Sequence, residues 1–260
     1  MNEHEKITPI GITNFRNQNK PFGIKEKDRM GHIYVIGKTG VGKSTLLLNM
    51  AISDMEKGNG IAVIDPHGDV SETLLDYVPK ERINDVIYFN PADTEYPIGF
   101  NPLHGLHPKY HHLVASGLIS TFKKIWGESW GPRLEHILRF TLLSLLEYPN
   151  GTLLDIQPML TNPEFRKHVL HYINDQYVLD FWHNEFEKYT PSFRSEAVAP
   201  IVNKTGLFLT SIPLRNIVGQ KVRSFRMQQV LDEGKILICN LSKGKIGEDA
   251  CVLIVSVLTT

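Results

Sequence analysis

A short glycine-rich segment of the chain has the residue types and the spacing of a phosphate-binding loop. The segment GKTGVGKST at residues 37–45 fills the pattern G-x-x-x-x-G-K-[ST] with Gly37, Gly42, Lys43 and Ser44. Glycines let backbone N–H groups surround a phosphate without Cβ clashes, the lysine adds a positive charge, and the serine hydroxyl suits Mg²⁺. An ordinary glycine-rich turn is the less favoured interpretation. The predicted nucleotide-binding residues are Gly37, Lys38, Thr39, Gly40, Val41, Gly42, Lys43, Ser44 and Thr45.

A second set of candidate residues lies in the segment IAVIDPHGD. Asp65 follows an apolar run, at the kind of strand end where ligand-facing residues of open α/β sheets gather, so we expect it to contact Mg²⁺ together with Ser44. The alternative is that Asp65 and Asp69 merely cap a turn and a helix. DPHG also fits a D-x-x-G motif of GTP-binding proteins. The nearest guanine-recognition candidate, NKTG at residues 203–206, lacks the required aspartate, which favours ATP over GTP.

Alternating apolar strands and helices must position these residues. Apolar runs without polar alternation are typical of strands buried on both faces, and a helical pattern follows the glycine loop and stops at Gly58. This order predicts an α/β fold with a parallel sheet. The β-like pieces of residues 1–30 are expected to pair with an edge of that sheet. The predicted strands are HIYVIG (32–37), IAVID (61–65), DVIYFN (85–90) and KILICN (235–240).

The middle of the chain has a different character. Residues 108–218 contain several helical patterns and no convincing strand, which indicates either an all-α insertion or a separate helical domain. The last apolar run, CVLIVSVL at 251–258, is still helical in pattern where the sequence stops, so we expect a truncated gene product. The predicted organisation is an N-terminal segment (1–30), a first half of the core (31–107), a helical insertion (108–218) and a second, truncated half of the core (219–260).

Composition gives weaker indications. Lys+Arg and Asp+Glu both number 28, so net charge neither supports nor excludes binding to nucleic acid. Cys239 and Cys251 have no partners at metal-ligand spacing, and we predict buried, reduced thiols in a cytosolic protein.

The N-terminus has no signal-peptide core, and the longest apolar run is too short to span a bilayer. The eleven histidines form no zinc-binding sequence motif.

Four motifs in order resemble those of the HerA/FtsK-type DNA-translocating ATPases, and most of all the conjugative coupling proteins of type IV secretion. The resemblance covers most of residues 28–260. It implies a RecA-like P-loop NTPase core with an inserted all-α domain, ATP and Mg²⁺ as cofactors, a homo-hexameric ring and DNA as partner. It also implies a cytoplasmic location, and it makes membrane-bound secretion machinery a candidate partner. The motifs are HIYVIGKTGVGKSTLLLNM, GNGIAVIDPHGD, WGPRLEHILR and KILICNLSKGKIGED.

The resemblance also implies roles for individual residues. With Lys43 and Asp65, Arg133 in WGPRLEHILR becomes a catalytic candidate that senses the nucleotide or acts across a subunit interface, as arginines of ring ATPases do. The alternative is a surface arginine paired with Glu135 or Glu128. Asn240 and Ser242 become candidate polar sensors of the γ-phosphate.

A carboxylate that activates the attacking water is missing from the predicted strand ends. DVIYFN and KILICN end in Asn90 and Asn240, and the resemblance implies that the acidic pair follows residue 260. We therefore expect the chain to bind ATP·Mg²⁺ weakly and to hydrolyse it very slowly. The favoured function is a DNA-translocase subunit. The alternatives are a nucleotide-dependent switch or scaffold and, least favoured, a small-molecule kinase.

Overall fold

The computed structural model describes residues 7–258, except for the side chains of Glu128 and Leu207. The strands are β1 (Ile7–Ile12), β2 (Pro21–Lys25), β3 (Ile61–Asp65), β4 (Val86–Phe89) and β5 (Ile236–Asn240). The helices are α1 (Glu26–Arg29), α2 (Lys43–Glu56), α3 (Asp69–Leu75), α4 (His111–Trp126), α5 (Pro132–Glu147), α6 (Ile156–Thr161), α7 (Pro163–Leu170), α8 (Gln176–Asp180), α9 (Pro191–Thr210), α10 (Ile212–Val218), α11 (Met227–Asp232), α12 (Lys243–Ile246) and α13 (Glu248–Leu258).

The described residues form two compact units. The first comprises the residues up to Phe89 together with Arg226–Ser242, and the second comprises Asn90–Phe225 together with the residues from Lys243 onward. The predicted helical insertion, 108–218, falls wholly within the second unit. Residues from Lys243 onward, which the sequence predicts to complete the core, join the helical unit.

A three-stranded parallel sheet forms the centre of the first unit, in the order β3-β5-β4. The central strand β5 is buried along its whole length, as its unbroken apolar sequence predicts. One face of the sheet is covered by both α2 and α3, whose side chains pack on alternate residues of the strands. The buried members of this cluster are Ala51, Met55, Leu74, Ile236 and Ile238.

The N-terminal segment forms a separate ribbon. β1 and β2 pair antiparallel with each other, so the expectation that residues 1–30 pair with an edge of the parallel sheet is wrong for the described residues. The ribbon is held to α2 by side chains: Arg29 donates to both carboxylate oxygens of the buried Asp54, at 2.6 and 2.7 Å. Lys57 Nζ donates to the carbonyl oxygen of Ile7 at 2.7 Å. Each strand satisfies the backbone groups of the other that face it.

The predicted strand HIYVIG is also wrong for this structure. Residues 32–37 form no strand, and Tyr34 and Ile36 are 89% and 81% exposed. None of the described strands forms sheet hydrogen bonds with this segment. An apolar run can be buried in a sheet only where a neighbouring strand satisfies its backbone, so its composition alone does not place it.

The second unit is helical, as predicted. Its described residues between Asn90 and Phe225 contain helices and turns and no strand. Trp182, Phe122, Phe186 and Phe208 are among its largest fully buried side chains. The indole of Trp182 donates to the hydroxyl of Ser144 at 2.8 Å, so its polar atom is satisfied inside the core.

Two further expectations can be compared with the structure. Cys239 and Cys251 are buried free thiols, and burial raises the pKa of Cys239 to about 12. Among the described residues no single helix is long and apolar enough to cross a membrane. The bent pair α9 and α10, which meet at 96°, reaches the required length and composition only when taken together.

The core of the first unit can be tested at its central strand. Replacing Ile238, which is fully buried, with alanine leaves a cavity under α2 and α3, so we expect the sheet-containing unit to lose about 2–5 kcal/mol of stability. Urea denaturation followed by circular dichroism measures the loss. Ile83→Ala, at a residue 60% exposed, is the matched control and is expected to change little. Equal effects of the two changes would contradict the core assignment.

Candidate functional site

The glycine loop adopts the backbone conformation that its glycines permit. Gly40 and Gly42 have φ of 82° and 91°, in the left-handed region that residues with a Cβ rarely adopt. Gly42 is the residue that precedes the first turn of α2, and Leu46 N donates to its carbonyl oxygen at 2.9 Å. At Gly37 a Cβ atom would lie 2.7 Å from Cγ2 of Val41. The loop therefore requires glycine at these positions for backbone and packing reasons.

The N-terminus of α2 is electrostatically available to an anion. The first backbone N–H groups of a helix have no partner within it, and the helix dipole places partial positive charge there. In the described chain no side chain caps α2, and no acidic residue lies in its first turn. A phosphate group at Lys43–Thr45 would therefore find unengaged donors and no competing carboxylate from this helix.

Lys43 and Ser44 are placed differently. The ammonium of Lys43 folds back over the loop, and Nζ donates to the carbonyl oxygen of Lys38 at 2.8 Å. This contact links the two ends of residues 38–43 and engages the ammonium with the loop's own backbone. Ser44 is exposed on the first turn of α2 and lines a groove that also contains Asp65. The structure thus brings together Ser44 and Asp65, the two predicted Mg²⁺ contacts.

Asp65 is a buried, ionised carboxylate at the end of β3, and only 5% of the residue is exposed. Its Oδ1 accepts from the N–H of His67 and its Oδ2 from the N–H of Ser71, both at 2.9 Å. Burial opposes ionisation, but hydrogen bonds donated by Ser71, His67 and Gly68 outweigh it and hold the pKa of Asp65 below its usual range. Asp65 therefore caps the first turn of α3, which is the alternative role considered for it in the sequence.

The capping role of Asp69 takes another form. α3 begins at Asp69 itself, and the preceding residue Gly68, with φ of 99°, offers no side chain to cap the helix. Asp65, four residues earlier in the chain, instead satisfies the N–H of Ser71 in the first turn. The expectation that Asp69 caps the helix is wrong, because the strand-end carboxylate reaches the same donors from a buried position.

An open groove of about 580 Å³ connects these groups within the first unit. One end is lined by Ser44, Asp65 and His67, and the other by Arg29 and Asp54. Between them run the length of β3 and the residues Leu47, Met50 and Ala51 of α2. The first turn of α2 and the carboxyl end of β3 therefore line the same groove.

A polar network occupies the carboxyl end of the neighbouring strands. Asn240 Nδ2 donates to the hydroxyl of Tyr88 at 2.9 Å, and its Oδ1 accepts from the N–H of Ser242 at 3.3 Å. A Cβ at Gly68 would lie 2.8 Å from Asn240 Oδ1, so glycine is required for this close approach. Asn240 and Ser242 are thus ordered at the same edge of the sheet as Asp65, and their role as sensors stays a prediction.

Arg133 belongs to the second unit. Its guanidinium lies 4.5 Å from the centre of the Phe193 ring and 3.3 Å from Oε1 of Glu196. Both partners of this ion pair are well exposed, so the pair adds little stability. The alternative of a surface ion pair is present, although its acidic partner is Glu196. Glu135 instead accepts from the indole of Trp130 and from Arg139.

The residues present fit a nucleotide with Mg²⁺. Mg²⁺ keeps several waters and is held in proteins by one or two side chains plus substrate phosphates, so it needs no cage of protein ligands. Among the described residues no group of three His, Cys, Asp or Glu side chains is arranged to hold a metal. Ser44 has an exposed hydroxyl that suits Mg²⁺, and Asp65 supplies a negative charge in the same groove. Both oxygens of Asp65 already accept backbone hydrogen bonds, which favours contact through a metal-bound water.

Sequence reasoning missed several groups at the site. Arg29 and Asp54 close one end of the groove, yet they are 25 residues apart and carry no motif. Ser71 and Tyr88 hold Asp65 and Asn240, and neither has a signal in the sequence beyond its place near a strand end. The left-handed conformation of Gly40 could have been predicted from the sequence, because a glycine among the four variable positions of the loop pattern indicates an additional turn.

Comparison with known proteins identifies the family. The family described as "Helicase HerA, central domain" matches residues 19–259. The chain belongs to this family. The predicted resemblance to HerA/FtsK-type DNA-translocating P-loop ATPases is therefore confirmed. No curated protein is similar enough in sequence to be recognised as a relative.

Solved structures of one conjugative coupling protein have the same fold. The unbound form of the bacterial conjugative coupling protein TrwBdeltaN70 has a TM-score of 0.56 at 15% identity, covering 97% of this chain and 54% of that one. TrwB complexes with ADP and Mg²⁺ and with the GTP analogue GDPNP give TM-scores of 0.53 and 0.51, each at 17% identity, 85% coverage of this chain and 50% of the other. The chain spans about half the length of these structures. The predicted RecA-like P-loop NTPase fold class is confirmed.

The charge of Lys43 can be tested by its removal. Lys43→Ala deletes a cation at the loop that would make charge-assisted hydrogen bonds to phosphate, each worth about 1.5–3 kcal/mol. We expect affinity for ATP·Mg²⁺ to fall about 10- to 100-fold, measured by titration calorimetry. Lys80→Ala removes an exposed lysine of the same unit and is expected to leave affinity unchanged. Unaltered binding by Lys43→Ala would exclude the loop as the phosphate site.

The buried carboxylate predicts a pH dependence of stability. Because the pKa of Asp65 is below that of an unfolded chain, about 3.9, its stabilising effect is complete above that value and is lost as pH falls through the folded-state pKa. Asp65→Asn is expected to be less stable than the unaltered chain at pH 6, with the difference shrinking below about pH 4. Urea denaturation across pH measures this, and Asp76→Asn, on the exposed end of α3, is the control. A difference that does not vary with pH would refute an ionised Asp65.

Proposed function

We propose that the chain is the ATP-binding part of a ring-forming, hexameric DNA translocase that couples ATP hydrolysis to DNA transport in conjugation, type IV secretion or related DNA processing. The observation that carries the proposal is the glycine loop itself. It leads into the uncapped N-terminus of α2, whose Ser44 lines one groove with an ionised Asp65, in a chain of the HerA central-domain family.

The choice of ATP rests on what the loop offers and on what the chain lacks. The loop binds polyphosphate and does not distinguish bases, and related TrwB structures contain both ADP with Mg²⁺ and a GTP analogue. NKTG at 203–206, the nearest guanine-recognition candidate, lies within α9 and lacks the aspartate. A helix interior offers no loop that could enclose a base, so ATP is the favoured nucleotide.

The expectation that this chain hydrolyses ATP slowly is supported by the contacts of the two carboxylates in the groove. Its carboxylates are Asp54 and Asp65, and each is already engaged, Asp54 by Arg29 and Asp65 by backbone N–H groups. A general base must be free to accept a proton from the attacking water at ordinary hydrogen-bond distance. We therefore propose that nucleotide is bound here and that efficient turnover needs an additional acidic group. Arg133, with its exposed guanidinium, suits action across a subunit interface.

DNA as the partner, ring assembly and a location in the cytoplasm, at the cytoplasmic face of the membrane beside a secretion machine, belong to the same proposal. They are supported by the family and by the conjugative coupling protein whose fold this chain has. The alternative is a nucleotide-dependent switch or scaffold that does not move DNA. The engaged state of both groove carboxylates favours this alternative, because a switch needs binding but no rapid hydrolysis.

The test compares this chain with the complete gene product. For the complete product we expect ATP turnover that double-stranded or single-stranded DNA stimulates about tenfold or more, together with nucleotide-dependent assembly in analytical ultracentrifugation. For this chain we expect Lys43-dependent ATP binding and turnover near background. Binding and assembly without DNA stimulation would replace the translocase with the switch. Robust turnover by this chain, abolished by Lys43→Ala, would show that a catalytic base lies within it.

A further inference from the structure

We infer that an open groove of the helical unit is a docking site for a basic amphipathic helix of a partner protein. The groove lies wholly within the second unit, and its lining residues all come from the continuous stretch between Leu106 and Val178. The inference goes beyond the proposed function and does not depend on nucleotide binding, because the glycine loop belongs to the first unit.

Three helices and the chain that precedes the first of them form this helical-unit groove. Leu106 and Pro108 line it from the chain before α4. The other lining residues lie at the start of α4, in the last two turns of α5, and in α8 with the two residues before it. The volume of about 670 Å³ is large enough to take several side chains of a partner.

Half of the lining of the helical-unit groove is apolar. Leu146 and Val178 are almost fully buried in the helical core, and the half-buried Leu106 and Leu143 line the same groove. Tyr177, directly before Val178 in the chain, is 83% exposed. Tyrosine is enriched in protein–protein interfaces, where an apolar centre is surrounded by a polar rim. The groove therefore has the composition of a surface to which another protein docks.

The polar part of the groove carries negative charge that the chain does not neutralise. Oε2 of Glu147 accepts from the N–H of Asn174 at 2.6 Å, and Oδ1 of Asp175 accepts from the N–H of Tyr177 at 2.9 Å. The other oxygen of each carboxylate has no hydrogen-bond partner among the described residues. Neither carboxylate forms an ion pair within residues 7–258, and no lysine or arginine lines the groove there.

The position of Glu147 strengthens the preference for a cation. Glu147 is the last residue of α5, where the helix dipole places partial negative charge, and the last turn of α5 contains no basic residue. The remaining ionisable side chains of the groove are His111 and His112. Histidine is mainly neutral at pH 8, so these two do not neutralise the carboxylates there. A lysine or arginine of a partner would supply the complementary charge.

The secondary structure of the unit favours a helix as the occupant. An added strand needs a sheet edge, and the described residues of the helical unit contain no strand. An amphipathic helix satisfies its own backbone and presents apolar side chains at positions i, i+3, i+4 and i+7 from one face. Lysine and arginine beside that apolar stripe can pack their methylene groups on leucine and still reach a carboxylate. The occupant is therefore a helix with an apolar stripe bordered by basic residues.

Peptide binding to the unaltered chain tests the inference. The probe is a fluorescein-labelled helical peptide of about 15 residues, with leucines along one face and lysines on both sides of them. One control peptide has glutamate in place of every lysine, and another has serine in place of every leucine. By fluorescence anisotropy at pH 8 without nucleotide, the probe is expected to bind about tenfold more tightly than either control. No binding of the probe, or equal binding of either control, would overturn the inference.

A matched pair of variants locates the binding. Glu147→Lys reverses the charge in the groove and is expected to weaken probe binding about tenfold, whereas Glu164→Lys makes the same charge change on the exposed start of α7 and is expected to leave binding unchanged. Thermal unfolding by circular dichroism checks that both variants fold. If Glu147→Lys does not fold, Glu147→Gln keeps an acceptor for Asn174 and is expected to weaken binding about fivefold.

Two results of these measurements would overturn the docking site. One is equal probe affinity of the Glu147 variant and Glu164→Lys. The other is concentration-dependent dimerisation in analytical ultracentrifugation that the Glu147 variant abolishes, because the groove would then belong to a second copy of the chain.

Discussion

Packing of α2 on one face of the parallel sheet determines where each group of the candidate site lies. Met55 and Ala51 are buried against Ile238 and Ile236, so the helix axis is fixed relative to the strands. After α2 the chain turns at Gly58 and returns along β3. The helix is about 21 Å long and the strand about 16 Å, so the return brings Asp65 back towards the end of α2 at which the loop lies.

That return depends on a close approach of two backbones. A Cβ at Gly60 would lie 2.7 Å from the Cα of Gly234, which lies two residues before the first residue of β5, the strand that pairs with β3. Glycine at both positions lets β3 and β5 begin side by side, and their five-residue register then runs from Ile61 opposite Ile236 to Asp65 opposite Asn240. The pairing of the apolar residues of β3 with those of β5, together with the two glycines at the start of these strands, therefore determines where Asp65 and Asn240 lie.

The sequence predicted the local elements of this arrangement and the chemistry of its loop, but not most of the pairings. β3, β4, β5 and α2 are recognisable because apolar patterns report burial directly. The same kind of pattern at residues 32–37 was misleading, since whether a strand forms there depends on a neighbour distant in sequence. The capping of Ser71 by Asp65, and the partners chosen by Arg29 and Arg133, depend likewise on side-chain directions that only the folded chain determines.

Asp65 shows why a structural and a chemical role need not exclude each other. Hydrogen bonds from Ser71, His67 and Gly68 lower the pKa of Asp65 and fix its rotamer, so a charged carboxylate is held in the groove without a compensating cation among its hydrogen-bond partners. A carboxylate oxygen has a second lone pair, which a metal-bound water can still reach. Lys43 is held in a comparable way, because its ammonium donates to the carbonyl oxygen of Lys38 within the loop. Both charges are thus positioned in advance by contacts within the chain, which lowers the ordering cost of binding a magnesium–polyphosphate complex.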